Sequence, residues 1–278
     1  MRCELNDICV YSNERISTNA LNVHTYVSTE NMLPDKGGIT DAASLPTVSQ
    51  TSKFKQGDTL VSNIRPYFKK IWFAEYDGGC SNDVLVFSAK TGVDPKYLYY
   101  VLANDSFFAY STATSKGTKM PRGDKNSIMQ YKIKKLDYPS QKKIAAILSA
   151  LDEKIATNRE INENLEQQAQ ALFKSWFVDF EPVSNYGFIE SAIGAIPCGW
   201  RIYTLSEFLP VITGKKNANV SSDKGLYPFF SCSQDFSWTN EYSFEGHAIL
   251  VAGNGDFNVK WYNGKFEAYQ RTYVLIPY

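Results

Sequence analysis

The chain has no surplus of either charge: 29 Lys and Arg balance 29 Asp and Glu over 278 residues. Bulk charge therefore does not mark a nucleic-acid binder, and any such surface must be local. There are only two histidines, His24 and His247, in unrelated parts of the chain. The five cysteines, Cys3, Cys9, Cys80, Cys198 and Cys232, show no CxxC spacing. That argues against a zinc site and against a disulfide framework, and it fits a reducing cytoplasm. No charged-then-apolar signal opens the chain. No apolar run approaches the roughly 20 residues that cross a bilayer, so a membrane partner is not expected. A GxxxxGK[ST] phosphate loop is missing, so ATP use by this chain is unsupported.

What the sequence does have is a long stretch, residues 140–180, with no Gly and no Pro. Ile144, Leu148, Leu151, Ile155, Asn158, Asn162, Leu165, Ala169, Leu172 and Trp176 alternate four and three apart, which is a heptad seam for pairing with another helix. A helix over 140–177 would be roughly 57 Å long at about 1.5 Å per residue, a rod suited to holding two things apart. Pro139 and an N-capping Ser140 predict its start, and Pro182 its end. Asn158 and Asn162 would weaken the seam but fix its register. Asp152, Glu153 and Lys154 share one turn of the rod and read as a solvated face. A hydrolase needs carboxylates converging from separate elements, and no catalytic constellation is evident.

Before the rod, residues 58–62 and 83–87 predict strands, and residues 95–102 a helix capped by Asp94. After it, strand-like runs return at 247–252 and 269–277. The flanks repeat one another. Residues 57–89 align without gaps to 246–278, setting Phe68 against Phe257 and Trp72 against Trp261. Leu5-Asn6-Asp7-Ile8 matches Leu205-Ser206-Glu207-Phe208. The second copy stops at Tyr278, opposite Ala89, with nothing to match 90–139. A naturally short chain and a fragment of a longer one both remain open.

The basic residues are clustered. Asn63, Arg65, Tyr67, Lys69 and Lys70 lie in one stretch after a strand. Lys116, Lys119, Arg122 and Lys125 lie in another, which Gly117, Pro121 and Gly123 mark as a loop. Lys, Arg and Asn on a rigid scaffold suit phosphate contact and base-edge readout, Arg matching guanine and Asn adenine. For residues 65–70 a structural role competes: Tyr67 and Phe68 as core, Lys69 and Lys70 as a strand end. Lys132 and Lys134, alternating with Ile133, read as the outer face of a strand.

The rod sequence, PSQKKIAAILSALDEKIATNREINENLEQQAQALFKSWF, resembles the central conserved helix of type I restriction–modification specificity subunits. GDTLVSNIRP, CSNDVLVF, YLYYVLAN and GTKMPRGDKNSI resemble that family's first target recognition domain. PCGWRIYTLSEFLPVITGKK looks like the opening of the second. The resemblance implies an α+β fold in three parts: a first recognition domain at 1–137, a spacer helix at 138–180, and a partial second recognition domain at 181–278. It implies a non-catalytic subunit that reads a split target in double-stranded DNA, and docks methyltransferase subunits and motor-nuclease restriction subunits. S-adenosylmethionine, ATP and Mg would then be bound by those partners, with no cofactor or metal on this chain. The Asn/Asp-Pro-Pro-aromatic signature of an adenine methyltransferase is absent here, in keeping with that division. Relatives pair the central helix with a second conserved helix. This chain lacks it, so the seam would need a partner in trans, a homodimer included. A coiled-coil adaptor without DNA binding is the alternative, and a free-standing nuclease a third reading; the basic loop and the recurring flanks disfavour the adaptor, and the missing site disfavours the nuclease.

Overall fold

The computed structural model describes residues 2–278. It is α+β and divides into two compact units at Gln167 and Gln168.

In the first unit, short strands follow closely: β1 (Arg2–Glu4), β2 (Cys9–Tyr11), β3 (Arg15–Ser17), β4 (Tyr26–Val27), β5 (Gln50–Phe54), β6 (Thr59–Ser62), β7 (Ile71–Phe73), β8 (Gly78–Cys80) and β9 (Val84–Ala89). Helices α1 (Pro95–Leu102), α2 (Asp105–Ala113) and α3 (Lys125–Met129) come next, then β10 (Lys132–Lys134) and α4 (Tyr138–Phe173), whose last residues, from Gln168, fall in the second unit. One sheet has the order β2–β9–β6–β7 and another β3–β5–β8–β4. The first is buried on both faces, so its strands read as near-continuous apolar runs. Leu5, Val61, Ile71, Leu85 and Phe87 pack under Leu98, Leu102, Phe107 and Phe108 of α1 and α2. On the other face Leu60, Trp72, Val84 and Val86 pack with Val27, Met32 and Phe54. The Asp94 carboxylate caps α1 by accepting from the Tyr97 amide at 2.9 Å, as expected.

The second unit holds a hairpin, β11 (Phe188–Ser191) and β12 (Gly194–Pro197), and β13 (Val211–Thr213), β14 (Tyr227–Phe230), β15 (Ser237–Thr239), β16 (Phe244–Ala252), β17 (Val259–Ala268) and β18 (Thr272–Leu275). The last six form one sheet, β13–β18–β16–β17–β14–β15. Its first four strands repeat the order of the first unit's β2–β9–β6–β7. The short helices Leu5–Asp7 and Leu205–Glu207 correspond too, each closed by a capping box.

The gapless alignment is one residue out inside the strands. Leu60 pairs with Trp72 and Val86, and the matching buried strand residue is Leu250, paired with Lys260 and Val274. Phe54 opposite Gly78 likewise becomes Phe244 opposite Phe266. A one-residue slip exchanges the faces of a strand, which is why Trp72 is 9% exposed and Trp261 68%. Trp261 takes the place of Phe73. Once the faces are matched, one side of the second sheet stands open. Leu5, Ile71 and Leu85 are buried beneath α1 and α2, whereas their counterparts Leu205, Val259 and Tyr273 are exposed. Among residues 181–278 no helix takes the place of α1 and α2.

The rod forms, with its start corrected. It starts at Tyr138, ahead of Pro139, which fits the first turn because its missing N–H has no partner to lose there. The cap is therefore Asp137 and not Ser140; hydrogen bonds from the Ser140 hydroxyl and amide hold the Asp137 carboxyl below its usual range. At its far end α4 widens into a π-helical turn, Lys174–Val178. Its docked face is not the heptad seam. Gln141, Ala145 and Ser149 are the buried residues of α4. The seam lies about 100° further round, at 100° per residue. Ile144, Leu151, Ile155, Leu165, Leu172 and Trp176 are exposed, and Leu148 is half-buried. Asn158 and Asn162 are exposed as well. Among the described residues no helix is long and apolar enough to cross a membrane.

Candidate nucleic-acid interface

The two basic stretches meet. Residues 63–65 leave the end of β6 and pair with residues 121–123. The Arg65 amide donates to the Pro121 carbonyl at 2.8 Å, and the Gly123 amide donates to the Asn63 carbonyl at 3.1 Å. Lys116 and Arg122 exchange two backbone hydrogen bonds of 2.9 Å, closing the 116–122 loop into a small hairpin. Gly123 is required at this crossing. A Cβ there would lie 2.8 Å from both Asn63 Oδ1 and Ile128 Cδ1. Lys116, Lys119, Arg122 and Lys125 are all exposed. Lys125 opens α3 instead of ending the loop, because the Asp124 carboxylate caps that helix from the Ser127 amide at 2.9 Å. The Lys125 ammonium lies over the Tyr11 ring, 6.0 Å from its centre.

The 63–70 stretch divides by role. Asn63 is 8% exposed, so it supports the crossing and does not reach base edges, contrary to the sequence expectation. Its Oδ1, like Arg65 Nε, is buried without a hydrogen-bond partner. Tyr67 and Phe68 project from a short helix, ring centres 4.8 Å apart, and both are exposed, so they are not core. Lys69 shares the Asp105 carboxylate with Lys36, at 3.1 and 2.9 Å. Lys70 donates to the Thr29 carbonyl at 2.7 Å, and burial lowers its pKa. Lys70 is thus a scaffold residue.

Backbone strain gathers at the same place. Five non-glycine residues among those described have positive φ: Asp35, Lys36, Arg65, Lys69 and Phe180. The first four belong to two turns joined to each other. Asp35 and Lys36 donate amide hydrogen bonds to the carbonyls of Phe68 and Lys69, at 2.9 and 3.0 Å. Strain of this kind persists only where the surroundings over-determine it, and it concentrates at functional sites. Sequence reading missed Asp35, Lys36 and Asp105. No local pattern marks a non-glycine αL residue.

Carboxylates neutralise part of the surface. Arg122 pairs with Asp83 at 3.1 Å, and Lys116 with Asp124. The Asp124 carboxyl is held at about 2, first by the Lys116 ammonium and then by the Ser127 amide and hydroxyl. Among the described residues no three His, Cys, Asp or Glu side chains are grouped to hold a metal. His24 pairs with Asp41 at the surface, and His247 lies in β16.

The type I restriction modification DNA specificity domain is the family whose model matches, over residues 3–167. This chain belongs to that family. The match spans the first unit, including both basic stretches and most of α4. Over 84 residues the chain is 46% identical to the EcoDI specificity subunit of Escherichia coli, an alignment covering 30% of this chain and 19% of that one. It is 32% identical over 188 residues to the HindI specificity subunit of Haemophilus influenzae, covering 64% and 41%. The chain thus spans less than half the length of these relatives. In fold it is similar to the crystal structure of a type I restriction–modification S subunit from M. genitalium. The TM-score is 0.62 at 17% identity, over all of this chain and 72% of that one.

Proposed function

We propose that this chain is the DNA-recognition subunit of a type I restriction–modification complex, and that it catalyses nothing by itself. The observation that carries this is the meeting of residues 63–65 with 116–123 in one exposed basic surface, on a chain of the DNA specificity family. Arg122, Lys116, Lys119 and Lys125 supply phosphate and base contacts there. Arg65 and Tyr67 flank them. In this reading the first recognition domain, 1–137, reads one half of a split target in double-stranded DNA. Residues 138–180 space it from a partial second recognition domain, 181–278.

The exposed seam of α4 is the helix-pairing surface. Leu148, Leu151 and Ile155 line a groove together with Tyr99 and Tyr100. A partner helix there comes from a methyltransferase subunit or a second copy of this chain. Methyl transfer and cleavage belong to methyltransferase and motor-nuclease subunits, which bind S-adenosylmethionine, ATP and Mg. The complex works in the cytoplasm, where its DNA is.

Fluorescence anisotropy with the full chain, with and without methyltransferase subunits, tests the reading. Duplex DNA should bind with a steep salt dependence. The chain alone should neither methylate nor cleave it. Turnover by the isolated chain, abolished by changing one of its own carboxylates, would overturn the non-catalytic assignment.

A further inference from the structure

Arg122 is constrained through both its backbone and its side chain. Its backbone is bridged on both sides, to Ile64 and to Lys116. Its guanidinium lies beside Asp83, with one ion-pair contact, Nη2 to Oδ1, at 3.1 Å. Asp83 is itself fixed in the turn immediately before β9. Its carbonyl accepts from the Asn63 amide at 2.8 Å, and its amide donates to the Ser81 hydroxyl at 3.3 Å. The Arg122 side chain is nevertheless 57% exposed. An exposed ion pair adds little to stability. What this one contributes is a bias on the direction of a planar five-donor group.

The other cations differ. Lys116 is paired with Asp124, but its ammonium is a point charge on a flexible stem. Lys119 and Lys125 have no carboxylate partner within ion-pair distance among the described residues. Such groups suit phosphate. A guanidinium paired with a fixed carboxylate suits the bidentate contact to guanine O6 and N7, where pre-organisation saves part of the cost of ordering the side chain.

We infer that Asp83 is a positioning residue that aims the Arg122 guanidinium at a guanine edge, making this pair a determinant of sequence choice. The inference rests on the DNA-recognition reading above. It assigns Asp83, a carboxylate that should repel DNA, a part in reading it. The two effects of removing that charge therefore have opposite signs. Asp83→Asn should bind unrelated duplex more tightly, because a negative charge is gone. It should bind its selected sequence less well, because Arg122 is no longer aimed.

The test is selection by the full chain from a duplex library with a fully degenerate centre, followed by affinity measurements on the selected and an unrelated duplex. Wild type, Asp83→Asn, Arg122→Lys and Lys119→Gln are compared. The expected result is that Asp83→Asn and Arg122→Lys lose preference for guanine at one and the same position while keeping the rest of the motif. The ratio of selected to unrelated affinity should fall by roughly 5- to 150-fold. Lys119→Gln should weaken all sequences alike. Arg122→Lys keeps the charge at an exposed site, so it reports even if Asp83→Asn folds poorly. An unchanged motif in both variants would overturn the inference, as would a uniform loss at every position. Failure of the wild type to select any motif would instead remove the DNA-recognition reading, and this inference with it.

Discussion

The Tyr100 hydroxyl donates a 2.7 Å hydrogen bond to Asp152 Oδ2 and lies 3.3 Å from Ser149 Oγ, fastening α1 to the fourth turn of α4. Asp152 is therefore a docking residue and not simply part of a solvated face. Tyr100→Phe should cost about 1 kcal/mol, the usual net worth of such a bond. Urea unfolding of the first unit measures it. Asp152→Asn should cost less, since an amide oxygen still accepts.

A second fastening is deeper. The Gln141 side chain, 5% exposed, accepts from the Asp94 amide and donates to the Leu136 carbonyl, both at 3.0 Å. Gln141→Leu strands both backbone groups and should cost about 1–3 kcal/mol. Gln141→Glu should restore only the contact to Asp94. Equal stability of all three proteins in thermal melts would show that α4 is not docked through this residue.

Acid should loosen the loop through Asp124. Its folded-state carboxyl sits at about 2, below an ordinary 3.8, held there first by Lys116. A depressed carboxyl contributes stability above its unfolded value and loses it as pH falls through the folded one. Wild type should thus lose stability relative to Asp124→Asn between about pH 4 and pH 2. Melting curves across that window should converge; a constant gap would mean that the carboxyl is not held by Lys116.

Neutralising Lys116, Lys119, Arg122 and Lys125 together should weaken DNA binding and flatten its salt dependence. Each lost phosphate contact should remove roughly 0.9 from the log–log slope. The four are exposed, so the fold should survive. Unchanged affinity and slope in a folded variant would place the DNA elsewhere.

On α4, Leu151 is 54% exposed. Leu151→Asp should therefore change the stability of the lone chain by no more than about 0.5 kcal/mol. It should cost more once a partner helix is bound, because a buried Leu contributes about 1.5–3 kcal/mol. Sedimentation with and without methyltransferase subunits separates the two effects. Association indifferent to the substitution would exclude the seam as a pairing face.

Much of this was legible in the sequence because it depends on period and punctuation. The uninterrupted run gave α4, the apolar runs gave β6 and β9, and Asp94 before Pro95 gave α1. The heptad seam was legible as well, but the face that docks to the first unit was not. Gln141, Ala145 and Ser149 are small or polar, and they are buried by tertiary contacts that periodicity does not encode. The repeat was visible as strand order but misaligned by one residue. Trp72 and Trp261 are identical in type and opposite in face. Both basic stretches could be found by composition. That Asn63 and Lys70 turn inward, and that Asp83 pairs with Arg122, follows only from the crossing of two distant segments.

If this chain chooses the sequence a methyltransferase complex modifies, loss of its gene must change which sites are methylated. Methylation-sensitive sequencing of the host genome, with the gene intact and deleted, tests it most directly. A split motif should be methylated in the first case, lost in the second, and restored by the wild-type gene but not by the version neutralised at Lys116, Lys119, Arg122 and Lys125. An identical set of methylated sites with and without the gene, in cells that make the chain and its methyltransferase partners, would contradict it.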